Sequence, residues 1–506
     1  MSVSVRSIGD SSASGIIIDI ECQVTNGLPS IIIVGFASKA IEEAKERVRS
    51  SFISADLTFP KKRITINLAP ADLPKEGTGY DLAIATAILL ASQQIKATTL
   101  LQKSALIGEL GLDGRTRPVR GIIGKLLSGR AKGLNNFFIP RNNLAQALLV
   151  PDITLIPIEH LRELYLGFSD TVPFKKFDTN TSSISAKIEE NYPNDMNDIV
   201  GQPRAKRALE ITAAGGHNIL LNGPPGTGKT MLARVLPSIL PPLKREEILE
   251  VTQLHSLANK DYEQIIATRP FRSPHHSASN IAIVGGGQHP RPGEISLSHK
   301  GVLLFDEFPE FNRSTIEALR QPLEDNVITV ARAKDTITFP ADFILVATSN
   351  PCPCGYYGTS KECTCLPGQI NNYQRKISGP IIDRIDLYVN VDEVKHNTLL
   401  HANNENENSK QIRARVVAAR HNQLQRLGSL RLNASMNNRD IKQSSNLTNE
   451  AEKLLNKASE QLQISARSYM RTIKVARTIA DLSEEQNIQI PHITEALQYR
   501  RPQMML

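Results

Sequence analysis

The segment Gly223-Pro-Pro-Gly-Thr-Gly228-Lys229-Thr230 constrains this chain most, because it has the form of a loop built to wrap a polyphosphate. It fits G-x-x-x-x-G-K-[ST]. The run Asn218-Ile219-Leu220-Leu221 before it reads as a strand. Met231-Leu232-Ala233-Arg234-Val235-Leu236 after it reads as the opening of a helix. Glycines let backbone N–H groups turn toward negative charge, and the helix N-terminus adds its dipole. Gly223, Pro224, Pro225, Gly226, Thr227, Gly228 and Met231 therefore become candidate nucleotide contacts. Lys229 would reach the β- and γ-phosphates, and the Thr230 hydroxyl would ligate Mg²⁺. A Gly/Pro-rich turn that matches by chance is the rival reading; the flanking strand and helix count against it.

A chain of 506 residues predicts roughly two to four domains at about 100–200 residues each. Hydrophobic content of 40% and charged content of 22% suit a globular protein with real cores. The net charge of +8 leans toward polyanionic partners such as nucleic acid, although many slightly basic proteins have none. Met1 to Ser14 is Ser/Gly-rich and shows no charged region followed by an apolar core, so no signal peptide is expected. The most apolar stretch, Leu82–Ala91, is far shorter than the about twenty residues a membrane span needs. A cytoplasmic location away from membranes is the expectation. Cys22 stands alone, whereas four cysteines fall between Cys352 and Cys365, which argues for metal rather than disulfides.

Three blocks emerge. Residues 1–172 alternate apolar strands (Gly15–Ile20, Ile31–Val34, Ile64–Leu68) with helical patterns at Lys39–Phe52 and Tyr80–Ser92, an α/β unit. Residues 173–194 turn polar and read as a linker. Residues 195–392 hold the nucleotide motif, and 393–506 open on an Asn/Glu-rich loop before becoming helical by period.

Val302-Leu-Leu-Phe305-Asp306-Glu307 reads as a buried strand ending in two carboxylates. Asp306 suits Mg²⁺, directly or through water, and Glu307 could polarise the attacking water. An acidic strand-to-loop corner is the bland alternative, and the preceding phosphate loop weighs against it. Phe343-Ile-Leu-Val-Ala-Thr-Ser-Asn350 is another apolar strand, ending in an amide able to bond the lytic water or the γ-phosphate.

Together these motifs resemble the AAA+ ATPases. The fuller pattern resembles the ComM/YifB family, whose ATPase module is akin to magnesium chelatase subunit I and to the replicative MCM helicases. The match is carried by Asp198-Ile-Val-Gly-Gln-Pro-Arg-Ala-Lys-Arg-Ala-Leu-Glu210, Phe271-Arg-Ser-Pro-His-His276, Pro292-Gly-Glu-Ile-Ser-Leu-Ser-His-Lys-Gly301 and Ser378-Gly-Pro-Ile-Ile-Asp-Arg384-Ile-Asp386. It continues through Ser465-Ala-Arg467 and Lys474-Val-Ala-Arg-Thr-Ile-Ala-Asp-Leu482. The resemblance implies that Arg384 enters a neighbouring subunit's site, where such an arginine is worth about 10³–10⁵ in rate in related systems. Without the family match, a surface ion pair with Asp383 or Asp386 would be the better reading. The resemblance further implies that Arg467 contacts phosphate in its own chain and that Ile199 and Val200 lie against adenine.

Gly108-Glu-Leu-Gly-Leu-Asp-Gly-Arg-Thr-Arg-Pro-Val-Arg-Gly121 and Lys75-Glu-Gly-Thr-Gly79-Tyr-Asp-Leu-Ala-Ile84 resemble the proteolytic domain of Lon. Lon's dyad needs a Ser nucleophile and a Lys base. This chain has Gly79 and Ile123 at the matching places, and Lys125 is two residues off, so it would face elsewhere on a helix. The block reads as an inactive Lon-like fold. The implied fold class is thus α/β: a Lon protease-like α/β domain, a central AAA+ P-loop domain with inserts, and a C-terminal helical lid.

Cys352-Pro-Cys354 and Cys363-Thr-Cys365 offer four thiolates, suited to a tetrahedral structural Zn²⁺. The C-x-C spacing is tighter than the usual C-x-x-C, and a metal-free thiol cluster is the alternative. Between Val327 and Phe339, two alternating strands flank a basic tip carrying Arg332 and Lys334, which would grip DNA phosphates. The Thr268–Ser296 insertion, with Arg272 and Arg291, is a second candidate DNA contact. Its His275-His276 pair is expected to point apart on an extended loop rather than to share a metal. With aromatic content of 5% and no Trp, backbone tracking should outweigh base stacking.

The expected protein is a hexameric AAA+ ATP-driven DNA motor using ATP and Mg²⁺, with single-stranded and branched DNA as partner. Through the resemblance it would act as a helicase or in branch migration during natural transformation and recombination, beside recombinase or competence proteins. An ATP-switched scaffold without translocation and a metal-chelatase motor subunit remain the alternatives.

Overall fold

The computed structural model describes residues 2–11, 14–35, 38–71, 75, 77–179, 192–258, 262–287, 290–331, 336–359, 361–376, 379–394, 407–428 and 431–500. The chain divides into two compact units, one of residues 1–188 with 244–267 and one of 189–243 with 268–506. Among the described residues no helix is long and apolar enough to cross a membrane.

The first unit is built on a mixed sheet of β1 (Ser2–Ser11), β2 (Ser14–Thr25), β3 (Ser30–Val34), β4 (Arg63–Ala69), β5 (Ser104–Leu106), β6 (Asn136–Pro140), β7 (Thr154–Ile158) and β8 (Phe177–Asp178). Their order is β8-β7-β6-β5-β1-β2-β4-β3. Strict alternation along β4 buries Ile64, Ile66 and Leu68 on one face, as its period of two requires. Helix α1 (Ala44–Ser54) packs on α2 (Asp81–Ala91), and α3 (Ile122–Ala131) packs on β2. Helix α2 is buried from Asp81 to Leu90, so it is apolar all round. Its buried Asp81 accepts from Arg47 Nε at 2.7 Å and Nη2 at 3.1 Å, which offsets only part of the cost of taking a carboxylate out of water, so burial still pushes the group up to about 6.

Two differences from the sequence reading arise here. Residues 244–267, expected inside the 195–392 core, fold with the first unit. Ile248, Leu249 and Ile265 pack against its apolar cluster, and the buried Gln146 donates to Tyr262 O at 2.7 Å and Gln264 O at 3.0 Å. The expected linker 173–194 begins inside the fold: the Phe174 ring lies 5.1 Å from Phe138, and β8 pairs with β7. Residues 180–191 lie outside the described residues. In the Lon-like region, Gly79 precedes α2 and Ile123 is fully buried on α3. Lys125 is buried too, at 4% exposure.

The second unit carries a parallel sheet of β9 (Ile219–Asn222), β10 (Phe271–Arg272), β11 (Val302–Phe305), β14 (Ile344–Ser349) and β15 (Leu387–Asn390), in the order β10-β11-β14-β9-β15. Between β11 and β14 comes the antiparallel hairpin β12 (Val327–Ala331) and β13 (Thr336–Pro340). Buried on both faces, β11 reads as an unbroken apolar run rather than an alternating one. Helices α4 (Pro203–Gly215) and α5 (Lys229–Ile239) cover the sheet; α6 (Arg320–Asp325) precedes the hairpin; α7 (Ser409–Leu427) and α8 (Ala466–Leu482) belong to the helical end. That end is not a separate core: Val416, Ala419, Ile473, Val475 and Ile479 share one hydrophobic cluster with Ile219, Leu236 and Val389. His217 fastens it further, with Nδ1 3.1 Å from Asp386 Oδ2 and Nε2 2.8 Å from Thr478 Oγ1. Burial pushes the Asp386 carboxyl up, but His217 together with the charges of Arg471 and Lys474 outweighs it and holds the group below the usual range.

Candidate nucleotide site and cysteine cluster

The phosphate loop leaves β9 at Asn222 and enters α5 at Lys229. Gly228 stands at φ +86°, a left-handed conformation that favours glycine and turns the helix N-terminus toward the loop. Lys229 Nζ, on the first residue of α5, donates to Gly223 O at 2.6 Å, Pro224 O at 2.8 Å and Asn350 Oδ1 at 3.1 Å. Burial pulls the lysine below its ordinary pKa, and Asp306 and Glu307 push it back up. The sequence-predicted lysine and the amide at the end of β14 therefore meet directly.

Asp306 follows β11 and accepts from Thr230 Oγ1 at 3.0 Å and from Thr348 Oγ1 at 2.6 Å. Thr348 Oγ1 in turn accepts from the Glu307 N–H at 2.9 Å. Glu307 sits at φ +55°, a left-handed conformation costing a non-glycine residue about 1–3 kcal/mol. Thr348 braces that turn through the Glu307 N–H. A hydroxyl and a carboxylate in contact suit a hard cation that prefers oxygen ligands, so Thr230 and Asp306 fit Mg²⁺. Ile199 is buried in the core of this unit and Val200 is half-buried; on the same segment Gln202 Nε2 donates to Asp392 O at 2.5 Å. Met231 is 56% exposed on α5.

Arg384 and Arg467 meet elsewhere, at Glu324 on α6. Arg384 Nη2 pairs with Glu324 Oε1, and Arg467 Nη2 lies 3.8 Å from the same oxygen. Arg467 Nη1 is 3.9 Å from Asp383 Oδ2, and Arg471 Nη2 is 3.5 Å from Asp383 Oδ1. Burial lowers the Arg384 pKa, and the positive charges of Arg467 and Arg320 lower it further. Arg384 and Arg467 thus stand side by side within one chain. They converge on one carboxylate.

The cysteines converge as well. Their Sγ atoms all lie within 4.8 Å of one another. Cys352 Sγ is 3.4 Å from Cys354 Sγ and 3.7 Å from Cys363 Sγ, and Cys354 Sγ is 3.6 Å from Cys363 Sγ. Tetrahedral zinc with Zn–S near 2.3 Å requires S···S separations of about 3.8 Å. The donor set fits. The Cys354 N–H donates to Cys365 Sγ at 3.4 Å and the Tyr357 N–H to Cys352 Sγ at 3.3 Å. The backbone N–H of Tyr356 brings the Cys354 thiol down to about 6.

Among the proposed DNA contacts, Arg332 and Lys334 lie outside the described residues, between the two strands of the hairpin. Arg272 is committed to Glu294 through Nε at 2.5 Å and Nη2 at 2.6 Å, which weakens its case as a phosphate contact. Arg291 is exposed on a short strand. The His275 and His276 rings do not point apart: their centroids are 4.1 Å from each other, because a turn rather than an extended segment carries them.

Sequence reasoning passed over three residues. Thr348 sits in the polar run Thr348-Ser349-Asn350, which was visible, but nothing local distinguishes it from Ser349. Glu324 is one acidic helix residue among many. Asn218 accepts from the Leu345 N–H at 2.9 Å and donates to Arg384 O at 3.0 Å, tying β14 to the Arg384 turn through a long-range contact.

The chain matches the family model of magnesium chelatase subunit ChlI over residues 195–399. The model for subunit ChlI of Mg-chelatase matches residues 20–143, and that of the ChlI C-terminal region matches 406–500. It is 42% identical over 487 residues to competence protein ComM of Haemophilus influenzae, covering 96% of this chain and 94% of that protein. It is 42% identical over 485 residues to the YifB protein of Escherichia coli, again covering 96% and 94%. Lon protease of Lawsonia intracellularis is 28% identical over 174 residues, covering 32% of this chain and 21% of that protein.

Proposed function

This chain belongs to the ComM/YifB family of magnesium-chelatase-like AAA+ proteins, and we propose that it is an ATP-driven DNA motor assembled as a ring, a hexamer by family resemblance. Lys229 holds the β- and γ-phosphates, Thr230 and Asp306 hold Mg²⁺, and Glu307 orients the attacking water with Asn350 beside it. Mg²⁺, when bound, neutralises charge on the phosphate oxygens. Ile199 and Val200 flank the adenine. Arg384 acts on a neighbouring subunit's ATP, and its place beside Arg467 supports both arginines serving that neighbour. Cys352, Cys354, Cys363 and Cys365 hold a structural Zn²⁺.

One observation carries the DNA reading. The hairpin β12–β13 is inserted in the chain between the strand that ends in Asp306-Glu307 and the strand that ends in Asn350. Its Arg332 and Lys334 track phosphate backbone without reading sequence. The likeness to a competence protein supports work on incoming DNA, in helicase or branch-migration form.

The model matches to magnesium chelatase favour a second reading, a motor that drives metal insertion, and the match over residues 20–143 extends it into the first unit. ATP turnover with and without single-stranded, forked and four-way junction DNA, paired with strand displacement, separates the two. The motor reading expects stimulation and displacement. In Arg332→Ala/Lys334→Ala it expects near-basal turnover with both responses lost, and a salt slope of DNA binding about one smaller per contact. Turnover indifferent to every DNA, with no displacement, would sink it.

A further inference from the structure

Helix α6 joins two devices that the proposed mechanism treats separately. At its C-terminal end Asn326 adopts φ +56° and turns the chain directly into β12. Gln321 then fastens helix to hairpin: its Nε2 donates to Thr329 Oγ1 at 2.9 Å, and its Oε1 accepts from the Thr329 N–H at 3.1 Å. The Ala341 N–H donates to Asn326 O at 2.8 Å and closes the other strand onto the same turn. Two side-chain bonds and a shared turn make α6 and the base of the hairpin one body.

Glu324 lies three residues after Gln321, on the same side of the helix. It is the carboxylate on which Arg384 and Arg467 converge. Around that contact stand Arg320, paired with Glu317, and Asp383, shared by Arg467 and Arg471. The Glu324 side chain is 50% exposed, whereas that of Arg384 is 11% exposed. Ion pairs with an exposed partner add little stability, so holding the fold together is a poor account of this one. Its strong effect is directional. It sets where two guanidinium groups point, on a helix that moves with the hairpin.

We infer that Glu324 is a positioning residue that makes ATP hydrolysis depend on DNA engagement. A polyanion pulling on the hairpin moves α6. Glu324 then yields Arg384 and Arg467 to the γ-phosphate they serve. The inference rests on the DNA-motor reading and adds its coupling element, with Gln321 as the link and Glu324 as the catch.

The test uses the full chain, with ATP turnover measured with and without single-stranded oligothymidylate and folding checked by thermal melting. Glu324→Gln keeps size and removes charge. It should raise DNA-independent turnover about five- to tenfold and bring the stimulation ratio close to one, with the KM for ATP unchanged. Glu324→Asp should recover most of the stimulation. Gln321→Ala should keep basal turnover and lose stimulation, because the hairpin no longer drags the helix. A folded Glu324→Gln with the wild-type stimulation ratio, whether its basal rate falls or holds, overturns the inference alone. Absence of stimulation in the wild type overturns the DNA-motor reading and this inference with it.

Discussion

Gly355 rests against the ring of Pro225: a Cβ at Gly355 would stand 2.6 Å from Pro225 Cδ. The cysteine cluster and the phosphate loop therefore touch across a single glycine. The contact gives the cysteine segment a direct route to the phosphate loop.

Gly355→Ala should weaken ATP binding about tenfold while leaving metal content unchanged, since its φ of +86° and the Pro225 ring both resist a side chain. Titration with a fluorescent ATP analogue, beside elemental analysis, reads both. Wild-type affinity in the variant would show that the contact does not shape the loop.

Cys363→Ser should lose about one zinc per chain and lower the melting temperature, because a structural Zn²⁺ contributes directly to folding. ATP affinity should fall with it through the Gly355–Pro225 contact. Protein prepared without chelators and found free of transition metal would refute the metal assignment.

Thr348→Val removes the hydroxyl that donates to Asp306 and accepts from the Glu307 N–H, at nearly constant volume. Such supporting partners typically contribute 10–100-fold, so kcat should drop by about that factor with a smaller change in KM. Steady-state kinetics decide it; a change confined to KM would make Thr348 a binding residue instead.

Lys229→Ala should abolish ATP binding, whereas Glu307→Gln should bind ATP and hold it unhydrolysed, because only the water-orienting carboxylate is lost. Retention of labelled nucleotide after gel filtration distinguishes the two. Near-normal turnover in Glu307→Gln would remove it as the catalytic carboxylate.

Mixing Arg384→Ala chains with Glu307→Gln chains should restore part of the turnover that each lacks, since some interfaces then pair an intact arginine with an intact carboxylate. The same mixing with Arg467→Ala should behave alike, because both arginines share Glu324. Rescue with Arg384→Ala but not with Arg467→Ala would return Arg467 to its own chain's site.

Much of this protein was legible as local pattern. The phosphate loop, the Asp306-Glu307 and Asn350 strand ends, the four clustered cysteines and the β12–β13 hairpin all announce themselves within short windows, because turn chemistry and strand period are local properties. Where local pattern was the only guide, it also misled. The polar look of residues 173–194 concealed Phe174, whose ring packs on nearby Phe168 and on Phe138, far away in the sequence. The helical residues 245–258 carry nothing in their period to say that they pack with the first unit rather than with the sheet between whose strands they are inserted.

The sequence by itself determined the ligand chemistry and the order of the elements, since each rests on residues close together along the chain. Only the tertiary structure decided which side chains act on one another. Lys229 meets Asn350, Thr348 spans Asp306 and Glu307, Gly355 seats on Pro225, and Glu324 gathers Arg384 and Arg467. Hydrogen bonds and ion pairs act over a few ångströms of space whatever the separation in sequence. Residues far apart in the chain come within that reach only once the strands have found their order and the helices have packed.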